Sequence, residues 1–136
     1  MNIVKSKTTK KSENLVLAKT HNTPEINFDK GGTLEFKGRL IPENAINFFC
    51  NLINWIKELK TKEVKVNIKL DYINSSSSKC LSNFLKELDK NPNIDSVSIN
   101  WHYEEDDLDL KETAEIFESI LVKTKFNYIE YVELDF

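Results

Sequence analysis

The run Val64-Lys65-Val66-Asn67-Ile68-Lys69-Leu70 alternates apolar and polar residues without a break. Successive side chains of a strand point to opposite faces, so this run specifies a strand with one apolar and one more polar face. Further on, Leu81, Phe84, Leu85 and Leu88 recur at three- and four-residue steps, the spacing that gathers apolar groups on one side of a helix. Between the two patterns lie only Asp71 to Cys80, with no linker composition. A strand that feeds directly into an amphipathic helix must lay that helix back over the sheet, and this restricts the chain to an α/β architecture.

The flanking segments extend that plan. Asn14 to Lys19 contains Leu15-Val16-Leu17 and predicts a short edge strand; Glu25 to Asp29 and Thr33 to Gly38 alternate on either side of Lys30-Gly31-Gly32, predicting a β-hairpin. Pro42 precedes Glu43-Asn44, after which Ala45, Phe48, Phe49, Leu52, Ile53, Trp55, Ile56 and Leu59 predict a helix over roughly Glu43 to Lys60. Asn91-Pro92-Asn93 ends the helix that carries Leu81 to Leu88. Ile94, Val97, Ile99 and Trp101 predict a further strand, and the strand, helix, strand order predicts a parallel pair joined by a right-handed crossover. Glu104 to Asp109 reads as an acidic loop, the positions Ala114, Phe117, Ile120 and Leu121 predict a third helix from Leu110, and Phe126 to Phe136 a last strand. The expected organisation is a flexible leader over residues 1–13, lysine-rich and without sustained period, followed by one α/β domain over 14–136 with a mixed sheet, an N-terminal hairpin and about three helices.

Composition narrows the function classes. The 19 basic and 22 acidic residues are interspersed and leave a net charge of −3, so no global field draws the chain onto nucleic acid. No run reaches the ~20 apolar residues of a membrane span, and the lysines at 5, 7, 10 and 11 are followed by no apolar segment of the kind a secretory signal needs. Cytoplasmic residence without membrane insertion is the expectation. Cys50 and Cys80 lack the tight spacing of a disulfide or zinc framework and read as buried free thiols on the apolar sides of their helices.

The hydroxyl-rich stretch Asn74-Ser75-Ser76-Ser77-Ser78 falls at the strand-to-helix junction. First-turn amides lack intrahelical acceptors, and Asn or Ser side chains cap them. On residue types alone the serines read as a turn and cap, with the capping residue left open among them. The same unpaired amides and the positive end of the helix dipole also favour a phosphate.

Taken with Thr23-Pro24-Glu25, Phe28-Asp29, Gly38-Arg39, Ile41-Pro42-Glu43-Asn44, Phe48-Phe49 and Asn100-Trp101-His102-Tyr103-Glu104-Glu105-Asp106-Asp107, the stretch Tyr72-Ile73-Asn74-Ser75-Ser76-Ser77 resembles the SiaC-type regulatory phosphoprotein family, small bacterial switch proteins similar to STAS domains. The blocks keep their order from about His21 to Phe126. The family motif reads Tyr-x-Asn-Thr-Ser-Ser with the Thr as phosphoacceptor; Tyr72 and Asn74 match it and Ser75 stands at the Thr position. The resemblance implies a phosphoacceptor at Ser75. It also implies a kinase- and partner-binding surface drawn from Tyr72, Asn74, Ser76, Ser77, Lys79, Glu43, Asn44, Glu104, Glu105, Asp106 and Asp107. The implied partners are a protein kinase, a PP2C-like phosphatase and a diguanylate cyclase that the unmodified form activates, a circuit of cyclic di-GMP and biofilm control.

Other chemistries are poorly served. The acidic loop lacks the Gly and terminal Glu of an EF-hand, so a solvated cap or partner loop is expected and no metal. Cys80 with His102 has no local base-orienting group or oxyanion hole, and Gly31-Gly32 and Gly38 fall far short of a phosphate-binding loop. Neither catalysis nor a cofactor is expected. The competing reading is a constitutive adaptor whose serines are never modified.

Overall fold

The computed structural model describes residues 13–134. The expected leader lies outside them except for Glu13, and so do residues 135–136 at the end of the expected last strand. β1 (Leu15–Leu17), β2 (Glu25–Phe28) and β3 (Thr33–Leu40) pair antiparallel in succession. The β2–β3 turn depends on Gly32, whose φ of +108° and close approach to the Glu63 carbonyl oxygen leave no room for a side chain. The chain then alternates: α1 (Ala45–Lys57), β4 (Glu63–Ile73), α2 (Ser75–Asp89), β5 (Ser96–Glu104), α3 (Leu108–Ile120) and β6 (Thr124–Tyr131).

Spatial order equals chain order, β1 to β6, and the β3–β4, β4–β5 and β5–β6 pairs are parallel. A right-handed crossover that always steps in the same direction puts each helix on the same face. All three helices therefore cover one side of the sheet. Leu34, Phe36 and Leu40 of β3, Val66, Ile68 and Leu70 of β4, and Ile99 and Trp101 of β5 are buried beneath them. Phe84 of α2 centres an aromatic cluster, with ring centroids 5.4 Å from Phe36, 5.8 Å from Phe28 and 6.2 Å from Phe49, and thereby ties α1 and α2 to the hairpin. Trp101 and Phe117, 5.8 Å apart, do the same for α3 and β5.

The opposite face of the sheet is polar and uncovered among the described residues. Asn100 donates to the Asn67 side chain at 2.8 Å and accepts from the Asn127 side chain at 3.1 Å, forming an amide ladder across β4, β5 and β6. At the far end of α2, Asp89 accepts from the amides of Val122 and Lys123 and the hydroxyl of Thr124, and so fastens the start of β6. Burial pushes its carboxyl upward, but these hydrogen bonds outweigh that effect and hold it below the usual aspartate value.

Several sequence expectations are corrected. The first helix begins at Ala45, because Asn44 caps it, and ends at Lys57, so Leu59 is buried beyond the helix. Ile94 precedes β5, and the third helix starts at Leu108 with Ile120 turned outward at 45% exposure. The last strand starts at Thr124 and stops at Tyr131, leaving Val132 and Leu134 exposed. Cys50 is exposed and Cys80 only half-buried: the inward stripe of α1 is Ala45, Phe49, Leu52 and Ile56, and position 50 turns about 100° past Phe49.

Candidate functional site

The N-termini of α1, α2 and α3 follow the C-terminal ends of β3, β4 and β5, three neighbouring parallel strands, so all three junctions gather at one rim of the sheet. This is where open α/β sheets place their binding surfaces. Each junction is closed by a side-chain cap: Asn44 accepts from the Asn47 amide at 3.0 Å, Asn74 from the Ser77 amide at 3.0 Å and Asp107 from the Leu110 amide at 3.1 Å. The predicted residues Glu43 and Asn44, Tyr72 to Lys79, and Glu104 to Asp107 thus share one end of the molecule although 64 positions of chain separate the outermost of them.

Tyr72 reaches solvent through an irregularity. Strict alternation after Leu70 would turn it into the core. Instead the β3–β4 register shifts between Gly38, paired with Leu70, and Arg39, paired with Tyr72, so that Asp71 is an extra residue on β4. Such a bulge re-aims the side chains that follow it. Tyr72 lies 54% exposed beside Arg39, and Ile73 turns inward opposite Leu40. Gly38 at the bulge has φ +131° and is packed against Pro24.

Asn74, in extended conformation, resolves the capping question, and all four serines lie inside the first turn of α2. Helical rotation then separates them. Ser75 and Ser76 are exposed, with the Ser76 hydroxyl 3.5 Å from the Asn74 side-chain oxygen, and Ser78 is half-buried. Ser77 is fully buried and its hydroxyl has no hydrogen-bond partner among the described residues, so it cannot belong to a contact surface as the sequence reading had it. The Ser77 amide goes to the Asn74 side chain and the Ser78 amide to the Asn74 carbonyl at 2.9 Å, which leaves the Ser75 and Ser76 amides without an acceptor among the described residues.

Lys79 is exposed one turn along. It lines a groove of about 530 Å³ between α2 and α3 together with Ser75, Ser78, Ser82, Lys86 and Ile116. Ser82, Lys86 and Ile116 were missed by motif reading. Their signal was spacing, since 75, 78, 82 and 86 follow one flank of a helix and Ile116 stands off the buried stripe of α3 at 64% exposure.

The acidic segment is shorter than the expected loop. Glu104 closes β5, Asp107 caps α3 and Asp109 sits in its first turn, leaving Glu105 and Asp106 between. Glu104 accepts from the Asp106 amide at 2.8 Å, and the carboxylates of Glu104, Glu105 and Asp106 lie within 4.8 Å of one another. Burial raises the nearby Tyr131 phenol, and the charges of Asp71, Glu133, Glu104 and Asp107 raise it further, while the Lys69 ammonium lies over its ring at 4.6 Å from the centroid. The α2 flank of the groove carries Lys79 and Lys86.

Comparison with known proteins agrees with this anatomy. A protein of Pseudomonas aeruginosa strain UCBPP-PA14, described as uncharacterized, is 30% identical over 103 residues, 72% of this chain and 82% of that one. SiaC of Pseudomonas aeruginosa superposes with a TM-score of 0.72 at 26% identity, covering 87% of this chain and 98% of its own. The SiaC found in the crystal structure of the diguanylate cyclase SiaD in complex with its activator SiaC gives a TM-score of 0.74 at 27% identity, covering 86% and 99%. Among the described residues no helix is long and apolar enough to cross a membrane. The model of the SiaC family regulatory phosphoproteins matches residues 17–131, and the chain belongs to that family.

Proposed function

We propose that the chain is a phospho-switch: unmodified Ser75 leaves the rim competent to bind a partner, and phosphorylation of Ser75 abolishes that binding. A kinase writes the mark, a PP2C-like phosphatase removes it, and the output in the cytoplasm is a diguanylate cyclase. The chain itself carries out no catalysis. The observation that supports this reading most is the exposure of Ser75 at the first position of a helix whose cap is made by another residue. Its hydroxyl can enter a kinase cleft without loss of the Asn74 cap. The SiaC–SiaD complex supports a cyclase as the partner.

The physical logic is an asymmetry of solvation. Phosphate adds about −1.5 to −2 charges. At the free protein's surface this charge meets unpaired amides, the helix dipole and Lys79, so the fold tolerates it. In an interface the same charge must be stripped of water, which costs several kcal/mol unless the partner supplies a cation. The test is a binding titration of a cyclase partner with the unmodified chain, the Ser75-phosphorylated chain and Ser75→Ala, with phosphopeptide mapping after kinase treatment. Binding by the unmodified and Ser75→Ala forms and its loss on phosphorylation are expected. Equal binding by all three, or label on Ser76 or Ser78 with Ser75 bare, overturns the proposal; the first outcome is what a constitutive adaptor would give.

A further inference from the structure

The two edges of the sheet differ. β1 presents three residues, whereas β6 presents eight, Thr124 to Tyr131, with no proline and no bulge, and among the described residues no strand covers its outer side. Proteins usually blunt such an edge by shortening, charging or kinking it. Here the only charged residues are Lys125 and Glu130. The half-buried rings of Phe126 and Tyr128, stacked at 6.0 Å, mark where the core stops without being sealed. The amide ladder also ends here. Asn127 donates inward to Asn100, so its side-chain oxygen and second amide hydrogen are its unused groups among the described residues.

We infer that β6 pairs antiparallel with β6 of a second copy of this chain, about a two-fold axis that passes beside Asn127. An isologous contact sets residue i against residue j when both are equally far from the axis. Centred on Asn127, the pairing sets the two Asn127 side chains opposite each other, where each amide donates to the other's oxygen and the ladder becomes continuous across both sheets. The same centring sets Phe126 against Tyr128 of the copy on the helix-covered face, closing the open end of each core, and sets Lys125 against Ile129 rather than against another lysine. A shift of the centre to residue 128 would instead oppose Phe126 to Glu130, and a shift to 126 would oppose Asn127 to Lys125. Only the first arrangement sets both Phe126 and Tyr128 against a ring and Asn127 against an amide, and side chains directly opposite in an antiparallel pair are the ones that interact. β4 runs parallel to β6, so the Ser75 rims of the two copies point to opposite ends of the extended sheet and neither blocks the other. The inference does not depend on the phospho-switch.

The experiment is sedimentation of the full unmodified chain from micromolar to near-millimolar concentration, with three variants. A monomer–dimer equilibrium is expected, and Asn127→Asp should raise its dissociation constant about tenfold or more by opposing two carboxylates on the axis. Circular dichroism keeps this readable by reporting whether the monomer stays folded. Asn127→Cys under mild oxidation should give a covalent dimer, while Tyr128→Cys, and the wild type with its exposed Cys50, should not. A wild type that stays monomeric throughout overturns the inference; so does a dimer that Asn127→Asp leaves intact, or one that cross-links through Tyr128→Cys rather than Asn127→Cys.

Discussion

Phosphorylation of Ser75 should stabilise the free protein while it abolishes docking. The first turn of α2 contains no acidic residue, its Ser75 and Ser76 amides have no acceptor among the described residues, and Lys79 follows one turn later. A negative charge at a helix N-terminus contributes roughly 0.3–1 kcal/mol, and a phosphate near two charges stands at the upper end, about 1 kcal/mol. An unfolding entropy of about 2.1 cal/mol/K per residue over 136 residues is ~0.29 kcal/mol/K, so the melting temperature should rise by about 3–4 °C. The assay is scanning calorimetry of phosphorylated and unmodified protein in low salt, repeated in 0.5 M NaCl, where screening should shrink the gain. pH supplies the sign. The helix end favours the dianion and depresses the second phosphate pKa in the folded state below its unfolded value of about 6. The extra stability is therefore present above pH 6 and fades as pH falls through the folded value. A phosphorylated protein that melts lower than the unmodified one at pH 7.5 would show that the modification works by unfolding the rim, and the solvation argument would fail.

Three further outcomes follow from the packing of the helices. Ser77→Ala should be neutral or stabilise by up to about 1 kcal/mol, because it removes a buried unpaired hydroxyl, whereas Ser77→Asp should cost several kcal/mol or prevent folding; paired thermal melts decide it. Asp89→Asn should destabilise by about 1–2 kcal/mol, since the amide must present a donor where three donors now converge; the carboxyl lies below its unfolded value, so this contribution is present above about pH 4 and lost as pH falls further, which urea unfolding between pH 3 and 7 will read. Cys50 should react with a thiol reagent in the native state within the mixing time of an ordinary assay, with half-buried Cys80 slower, and equal protection of both would contradict the packing of α1.

How far the chain could be read in advance depended on whether a period persisted. β4 kept strict alternation from Val64 to Leu70, and α2 kept its stripe from Leu81 to Leu88, so both elements and the parallel β4–β5 pairing that follows were legible. At the site the period breaks. Nothing in Leu70-Asp71-Tyr72 announces an extra residue on β4, because the bulge is a property of its pairing with Gly38 and Arg39 on another strand. The cysteines differ for a related reason: apolar neighbours at Phe48, Phe49 and Leu52 suggest an inward Cys50, while the buried stripe of α1 is Ala45, Phe49, Leu52 and Ile56 and leaves position 50 outside it.

The period of α2 also divides the serine run. Four identical residues carry no pattern of their own, but their helix does. Position 77 lies four residues before Leu81 and seven before Phe84, on the same stripe, and must be buried if the helix reaches back that far; 75 and 76 fall off the stripe. What counting could not supply was where the helix begins, and that is decided by one hydrogen bond, from the Ser77 amide to the Asn74 side chain. Once Asn74 takes the cap, each serine's environment is fixed by rotation alone: Ser77 becomes part of the core, Ser78 a half-buried wall of the α2–α3 groove, and Ser75 an exposed hydroxyl lining the same groove. Asn74→Ala should therefore do more than destabilise α2 by about 1 kcal/mol. By loosening the first turn it should spread phosphorylation from Ser75 onto Ser76 and Ser78, and phosphopeptide mapping that still finds Ser75 alone would mean that the kinase, not the cap, makes the choice.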